Sequence, residues 1–389
     1  MISFENTEIA FAGKSDKDLA WSHRLFKLMG KPWLVSLGKG LTNFALAIRL
    51  PIRGIIKKTI FRQFCGGENI QECRTKIQEL ANYKVGTILD YSVEGKTTEE
   101  DLDKTRDEII ATITEAKKND SIPFSVFKVT GIAQTDVLRK ANKSIENLSE
   151  SESANFAIAK KRVEAICQAA FDANVPVFID AEDSWFQDII DALATEMMER
   201  YNSEKAIVFN TIQMYRHDRL AFLQKSMEEA LSKGYHLGIK LVRGAYMEKE
   251  REVAQEEGYP SPIQPDKATT DRDYDLALEY LVKNIDKAAI CAGTHNENSS
   301  LYLVELMEEH GISKDDKRVY FAQLLGMSDH ISFNLTHAGY NVAKYVPYGP
   351  VKEVIPYLMR RAQENTSVAG QTGRELKLIL EEKQRRKLN

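Results

Sequence analysis

Near the C-terminus of the 389-residue chain, the stretch from Pro356 to Asn365 sets two adjacent arginines between a phenol and a carboxylate. Val354, Ile355, Leu358, Met359 and Ala362 recur at helical spacing, so the segment reads as a helix. On it Tyr357, Arg360, Arg361 and Glu364 fall at i, i+3, i+4 and i+7 and share one face. Paired guanidiniums offer planar bidentate forks, which suit recognition of a small anion. An Arg-Arg pair is otherwise a solvated outer face, and what precedes this helix decides between the two.

Upstream, polar residues recur at the ends of apolar runs: Asp90 and Glu94, Lys128, Asp180 and Glu182, Gln213, Arg243 and Tyr246, Thr294-His295-Asn296, Gln323, and Tyr345. Burying all of them without partners is costly, so together they point to a polar pocket. Individually each has a plainer reading. Lys128 either snorkels or is paired or ligand-facing, Asp180 either serves the pocket or caps the next helix, and His295 is either functional or an N-cap neighbour. No second histidine lies at metal-ligand spacing, so no metal is expected. No Gly-x-Ser-x-Gly elbow marks a serine nucleophile. These residues alone specify an anion-binding enzyme of open chemistry.

The runs that carry them are Val85–Ser92, Phe124–Thr130, Val175–Glu182, Ala206–Gln213, Leu237–Gly244, Ala288–Thr294, Arg318–Leu325 and Asn341–Pro347. Helical patterns follow each, beginning with Thr98–Lys118, which Thr97 or Thr98 would cap. A polar insertion at Gln134–Glu152 precedes the helix predicted over Asn155–Ala173, and a later helix is predicted over Asp271–Asp286. Eight β-branched strands alternating with helices, over about 280 residues, predict an α/β fold of the (β/α)8 TIM-barrel type. An open doubly wound sheet is the competing arrangement, but its GxGxxG turn is absent. In a barrel, chemistry sits at the C-terminal strand ends, and the eighth helix, opening at that rim, would lie over the mouth.

The expected organisation is a basic helical arm (1–84), the barrel (85–370) and a charged C-terminal helix or tail (371–389). No Asp or Glu occurs between Leu19 and Gly67, where nine of the 53 basic residues fall, leaving 44 basic against 57 acidic residues elsewhere. Trp21, Phe26, Trp33, Phe44, Phe61 and Phe64 are interleaved with them. Such an arm either meets a membrane surface or anionic partner or packs on the acidic body of its own chain. Nucleic acid is not expected, since no binding motif accompanies the charge. Cys65, Cys73, Cys167 and Cys291 form no CxxC pair, which indicates neither zinc nor a disulfide framework and suggests a reducing, cytoplasmic-type compartment. No apolar run is long enough to span a bilayer, and no secretory signal or clear transit peptide is visible.

Seven segments, in order, resemble the proline dehydrogenase family: Phe178–Glu182 (FIDAE), Phe209–Gln213 (FNTIQ), Lys240–Tyr246 (KLVRGAY), Thr294–Asn296 (THN), Gln323–Met327 (QLLGM), Lys344–Pro350 (KYVPYGP) and Tyr357–Arg361 (YLMRR). KLVRGAY and KYVPYGP resemble the stand-alone, mitochondrial-type branch. The resemblance covers roughly Val85 to Ser367 and implies a barrel that uses FAD to oxidise L-proline to 1-pyrroline-5-carboxylate and passes electrons to a membrane quinone. It thereby implies peripheral attachment to an inner membrane, mitochondrial in a eukaryote.

Carried over by position, the resemblance implies that Arg360 and Arg361 clamp the proline carboxylate, and that Tyr246, Leu324, Tyr345 and Tyr357 wall the ring. Lys128 and Asp180 would lie near substrate and flavin, and Glu94 would pair with the first arginine. Gln213, Lys240, Val242, Gly244, Ala245, Thr294, His295, Asn296, Gln323 and Glu364 match flavin-contacting positions. Asp180, Lys128, Tyr345 and Lys240 are the expected catalytic set. Lys240 stands where many bacterial members have Arg, and Met247 replaces a frequent aromatic. Two alternatives accompany this reading: a hydroxyproline dehydrogenase of the same family, in whose members a smaller residue tends to stand at the Tyr345 position, and a Schiff-base barrel lyase using Lys128 or Lys240.

Overall fold

The computed structural model describes residues 2–31, 33, 53–93, 95–367 and 371–388, without the side chains of 363–367 and 371–372. Its centre is a closed barrel of eight parallel strands in sequence order, as the alternation predicts; the open sheet is set aside. The strands are β1 (Gly86–Tyr91), β2 (Phe124–Phe127), β3 (Val177–Ile179), β4 (Val208–Gln213), β5 (Leu237–Val242), β6 (Ala288–Gly293), β7 (Val319–Leu324) and β8 (Val342–Tyr348). The chain divides into two compact units, Met1–Glu94 with Gln323–Asn389, and Gly95–Ala322.

Within the second unit the helices are α3 (Glu99–Ala116), α4 (Thr135–Lys143), α5 (Glu150–Ala173), α6 (Ser184–Tyr201), α7 (Arg219–Lys233), α8 (Met247–Glu257), α9 (Lys267–Lys283) and α10 (Glu297–Glu309). Thr98 caps α3 by accepting from the Asp101 N–H, as its position predicts. Two helices begin earlier than apolar periodicity suggests. A reciprocal capping box of Ser149 and Glu152 starts α5 within the expected insertion, and Asp266 starts α9 by accepting from the Thr269 N–H. β2 is shorter than its apolar run, because Lys128 opens a single turn of 3-10 helix at Val129–Gly131; β3 is also shorter than its run.

The strand faces follow from one outward contact. Asn210 of β4 donates to Asp191 of α6 at 2.9 Å, so Phe209, Thr211 and Gln213 turn inward by alternation. The register Phe178↔Phe209 and Thr211↔Lys240 then puts Phe178 and Lys240 on the inner face, with Asp180 two residues past Phe178. Lower in the interior, Phe124 stacks on Phe178 at 4.4 Å and meets Phe209 and Tyr320 edge-on at 5.6 and 4.8 Å. This aromatic layer fills the barrel beneath the polar residues.

The first unit holds α1 (Asp16–Met29), α2 (Ile70–Ala81), α11 (Asp329–His337), α12 (Val351–Ser367) and α13 (Gln371–Arg385). The described part of the basic arm packs on its own unit. Met29, Phe61 and Phe64 join Met327, Val354, Tyr357 and Leu358 in one apolar cluster, and Leu19 and Phe26 of α1 join Leu378 and Ile379 of α13 in another. Arg53 and Lys57 pair with Glu68 at 2.6 and 2.7 Å. Leu28, Trp33 and Ile55 stay exposed. Lys39, Phe44 and Arg49 lie outside the described residues.

The aromatic layer makes Phe124 a stability determinant. Phe124→Ala is expected to lower unfolding stability by about 3–5 kcal/mol, measured as a drop in the chemical-denaturation midpoint relative to the unmodified chain.

Candidate functional site

In the second unit, the interior above the aromatic layer is built around an ion pair. Lys240 is 4 % exposed, and its ammonium bonds the Asp180 carboxylate while lying 5.3 Å from the centre of the Phe178 ring. Pairing an ammonium with a carboxylate offsets the cost of taking both out of water. Asp180 therefore does not cap α6, whose N-cap position is Asp183. Instead Glu250 of α8 reaches the start of α6 and accepts from the Ser184 N–H and O–H, both at 2.6 Å.

Lys128, the residue after β2, is half-buried. Its neighbour Glu182 is buried and accepts from the Thr130 N–H at 3.0 Å and from the Thr130 hydroxyl. Gln213 of β4 donates to the Glu182 carbonyl at 2.7 Å. Glu182 thus ties together the strand ends that carry Lys128, Asp180 and Gln213. Burial is the main influence on its carboxyl and lifts it to about 7, against the bonds from Thr130 and the charge of Lys128.

The end of β5 is ordered by Arg243. Its guanidinium donates to Asp271 at 2.6 Å, to the Thr294 hydroxyl at 2.6 Å and to the Ser299 hydroxyl at 2.8 Å, and lies 4.3 Å from the centre of the Tyr274 ring. This holds the Thr294-His295-Asn296 loop from behind. Asn296 caps α10 through the N–H groups of Asn298 and Ser299, which leaves His295 half-buried immediately before the cap. Val242 is half-buried, and Gly244 and Ala245 follow it as exposed backbone. Gly244 has φ +132, and a Cβ there would stand 2.6 Å from the Tyr215 ring, so only glycine permits this exit from β5. Tyr246 is half-buried at the N-cap position of α8, with the Lys249 ammonium 5.9 Å from its ring centre.

In the first unit, α12 follows β8 directly. Val354, Leu358 and Ala362 are buried along it, so the predicted apolar stripe is the packed one. Tyr357 is buried and Arg361 only 7 % exposed, with the guanidinium 5.1 Å from the Tyr357 ring centre; Arg360 is half-buried. The pair is not a solvated outer face. Tyr345 is buried on β8, and its carbonyl accepts from the Leu325 N–H at 2.8 Å, joining β8 to the end of β7, where half-buried Leu324 stands. Gln323 accepts from the Ser332 hydroxyl at 2.8 Å. Glu94 and the side chain of Glu364 lie outside the described residues.

Glu182, Arg243 and Glu250 organise the second-unit groups, yet only Glu182 and Arg243 are visible as strand-end polar residues in the sequence. The raised Glu182 carboxyl gives a pH signature. Folding favours its protonated form, so its stabilisation is complete below the unfolded value near 4.5 and is lost as pH rises through about 7. Thermal midpoints measured at pH 5 and pH 8 are expected to differ less in Glu182→Gln than in the unmodified chain, on the order of a few kcal/mol when converted.

Residues 73–374 match the proline dehydrogenase family. Proline dehydrogenase 1, mitochondrial, of Drosophila melanogaster is 41% identical over 263 residues, 65% of this chain and 38% of that protein. Its namesake in Dictyostelium discoideum is 31% identical over 426 aligned positions, 98% of this chain and 74% of that protein. The crystal structure of proline utilization A from Bdellovibrio bacteriovorus inactivated by N-propargylglycine aligns with a TM-score of 0.72 at 22% identity, over 93% of this chain and 38% of that one, a likeness of fold. The chain spans less than half the length of the Drosophila relative and about three-quarters of the Dictyostelium one. A family match across most of the sequence, carried on a closed eight-stranded barrel, makes this chain a member of the proline dehydrogenase family, in its mitochondrial-type branch.

Proposed function

We propose that this chain catalyses the FAD-dependent oxidation of L-proline to 1-pyrroline-5-carboxylate, with a membrane quinone as final electron acceptor. The reading rests on the family membership and, above all, on the buried Arg361 beside Tyr357 on α12. A guanidinium offers a planar fork of donors, and an amino-acid carboxylate has the matching shape. Arg360 and Arg361 take the carboxylate; Tyr246, Leu324, Tyr345 and Tyr357 form the walls that exclude water from the ring.

The second-unit residues fit a flavin. Lys240, Gln213 and the Thr294-His295-Asn296 loop supply donors of the kind that a flavin's carbonyls and phosphates accept. The buried Thr211 hydroxyl, register neighbour of Lys240, has no hydrogen-bond partner among the described residues. Gly244 presents bare backbone just past β5, with exposed Ala245 beside it, and Gln323 completes the proposed contacts. When bound, flavin supplies the acceptor for the two electrons that leave the ring carbon beside the amine. The protein's part is to orient that carbon through the carboxylate and to hold positive charge at Lys240, with Asp180 and Lys128 setting the polarity around it. Committing the Lys240 ammonium to Asp180 disfavours a Schiff-base role.

Anaerobic addition of proline to the purified yellow chain is expected to bleach its visible flavin band. Arg361→Met should raise the KM for proline on the order of 10- to 100-fold while flavin stays bound. A colourless protein, or an unchanged KM, would sink this reading, and a preference for 4-hydroxyproline would move the assignment to the hydroxyproline branch. The exposed Leu28, Trp33 and Ile55 beside basic residues support peripheral membrane contact through the arm. Replacing all three by Ser is expected to reduce co-sedimentation with anionic vesicles by about tenfold; equal co-sedimentation would remove that role.

A further inference from the structure

The backbone between β7 and α11, Leu324 to Ser328, is held from four directions. Lys344 of β8 donates to the Met327 carbonyl at 2.5 Å and to the Leu324 carbonyl at 3.4 Å. Gln63 donates to the Gly326 carbonyl at 3.0 Å. The Leu325 N–H donates to Tyr345, and the Ser328 N–H donates to the Glu375 carboxylate of α13. Gly326 has φ +77, and a Cβ on it would stand 2.2 Å from the Gln63 carbonyl oxygen, so the approach depends on glycine.

Lys344 is the centre of this arrangement. It alternates with Tyr345 on β8 and faces the helix side, with a relative exposure of 0 %. Its third partner is Asp329, at 2.8 Å. The other Asp329 oxygen pairs with Lys14 at 3.1 Å, and Lys14 also donates to Ser22, which in turn donates to Gln63, both at 3.3 Å. Burial alone would raise the Asp329 carboxyl; the two ammoniums overcome it and hold Asp329 well below the usual carboxylate range. A lysine with all three N–H donors engaged and no water access is committed to holding its partners.

We propose that Lys344 is a positioning residue for the reaction: it fixes the loop that carries Leu324, and so the proline-facing wall, with Lys14, Gln63 and Glu375 extending that hold to the two terminal segments. The inference rests on the reading that Leu324 lines the proline site. Lys344→Met leaves the Leu324 and Met327 carbonyls without that donor and Asp329 with one ammonium fewer, so the loop is released while the barrel stands.

The test uses the full chain with its flavin and compares Lys344→Met, Lys14→Met and Asn202→Ala. Asn202 is a structural control: buried at the foot of β4, it donates to Val208 and His236 carbonyls at 2.8 and 2.9 Å. Lys344→Met is expected to raise the KM for proline about tenfold with less than about threefold change in kcat. It should also speed amide exchange at Leu325 and Ser328 in the absence of proline. Asn202→Ala should lower the thermal midpoint yet leave KM within about twofold. If Lys344→Met does not fold, Lys14→Met carries the test, with a smaller rise in KM and the same exchange signature. An unchanged KM, unchanged loop exchange, or an equal KM rise in Asn202→Ala overturns the proposal. A wild-type chain that does not oxidise proline refutes the functional reading instead, while exchange at Leu325 and Ser328 still decides whether Lys344 holds the loop.

Discussion

The interior of a parallel barrel is a poor place for charge, and the Lys240–Asp180 pair shows how this chain manages it. Neither ion is tolerable alone at that depth. Strand alternation supplies the solution: β3 and β5 both turn their relevant side chains inward, and β4 between them offers Thr211 and Gln213 rather than a third charge. The aromatic layer of Phe124, Phe178, Phe209 and Tyr320 sets the floor on which the pair rests. The polarity of the inner face is therefore fixed by backbone register first and by side-chain chemistry second.

The same economy appears at the helix termini. The start of α6 has no side-chain cap of its own and receives Glu250 from α8. The start of α11 likewise has none and receives Glu375 from α13. A carboxylate at a helix N-terminus satisfies orphan N–H groups and complements the dipole. Supplied from a distant segment, it also makes local order conditional on tertiary order. Both helices follow strands whose ends carry candidate site residues, so each borrowed cap helps set where a strand end stops.

Much of this was legible from residues alone. The eight apolar runs map onto the eight strands, and the apolar stripe Val354, Leu358, Ala362 is buried along α12. What escaped has identifiable causes. The Ser149–Glu152 capping box lay inside a stretch too polar for periodicity to mark it as helix. Arg243 looked like one more strand-end cation, because its partners Asp271, Thr294 and Ser299 are 28 to 56 positions away. Glu250 and Glu375 read as ordinary surface charges on amphipathic helices. Sequence pattern reports which face is apolar; it does not report which distant carboxylate will meet a particular N–H.

The alternation in β8 has one more implication. Tyr345 and Lys344 are adjacent, yet one is read by the barrel interior and the other by the helix layer. Sliding β8 by a single step would carry a cation inward and bury a phenol among carbonyls and carboxylates. The short connector after α11, from Ala338 to Asn341, is the ruler that prevents this. Its length is therefore expected to vary less among functional descendants of this chain than its composition does, since an added residue there would spoil two environments at once.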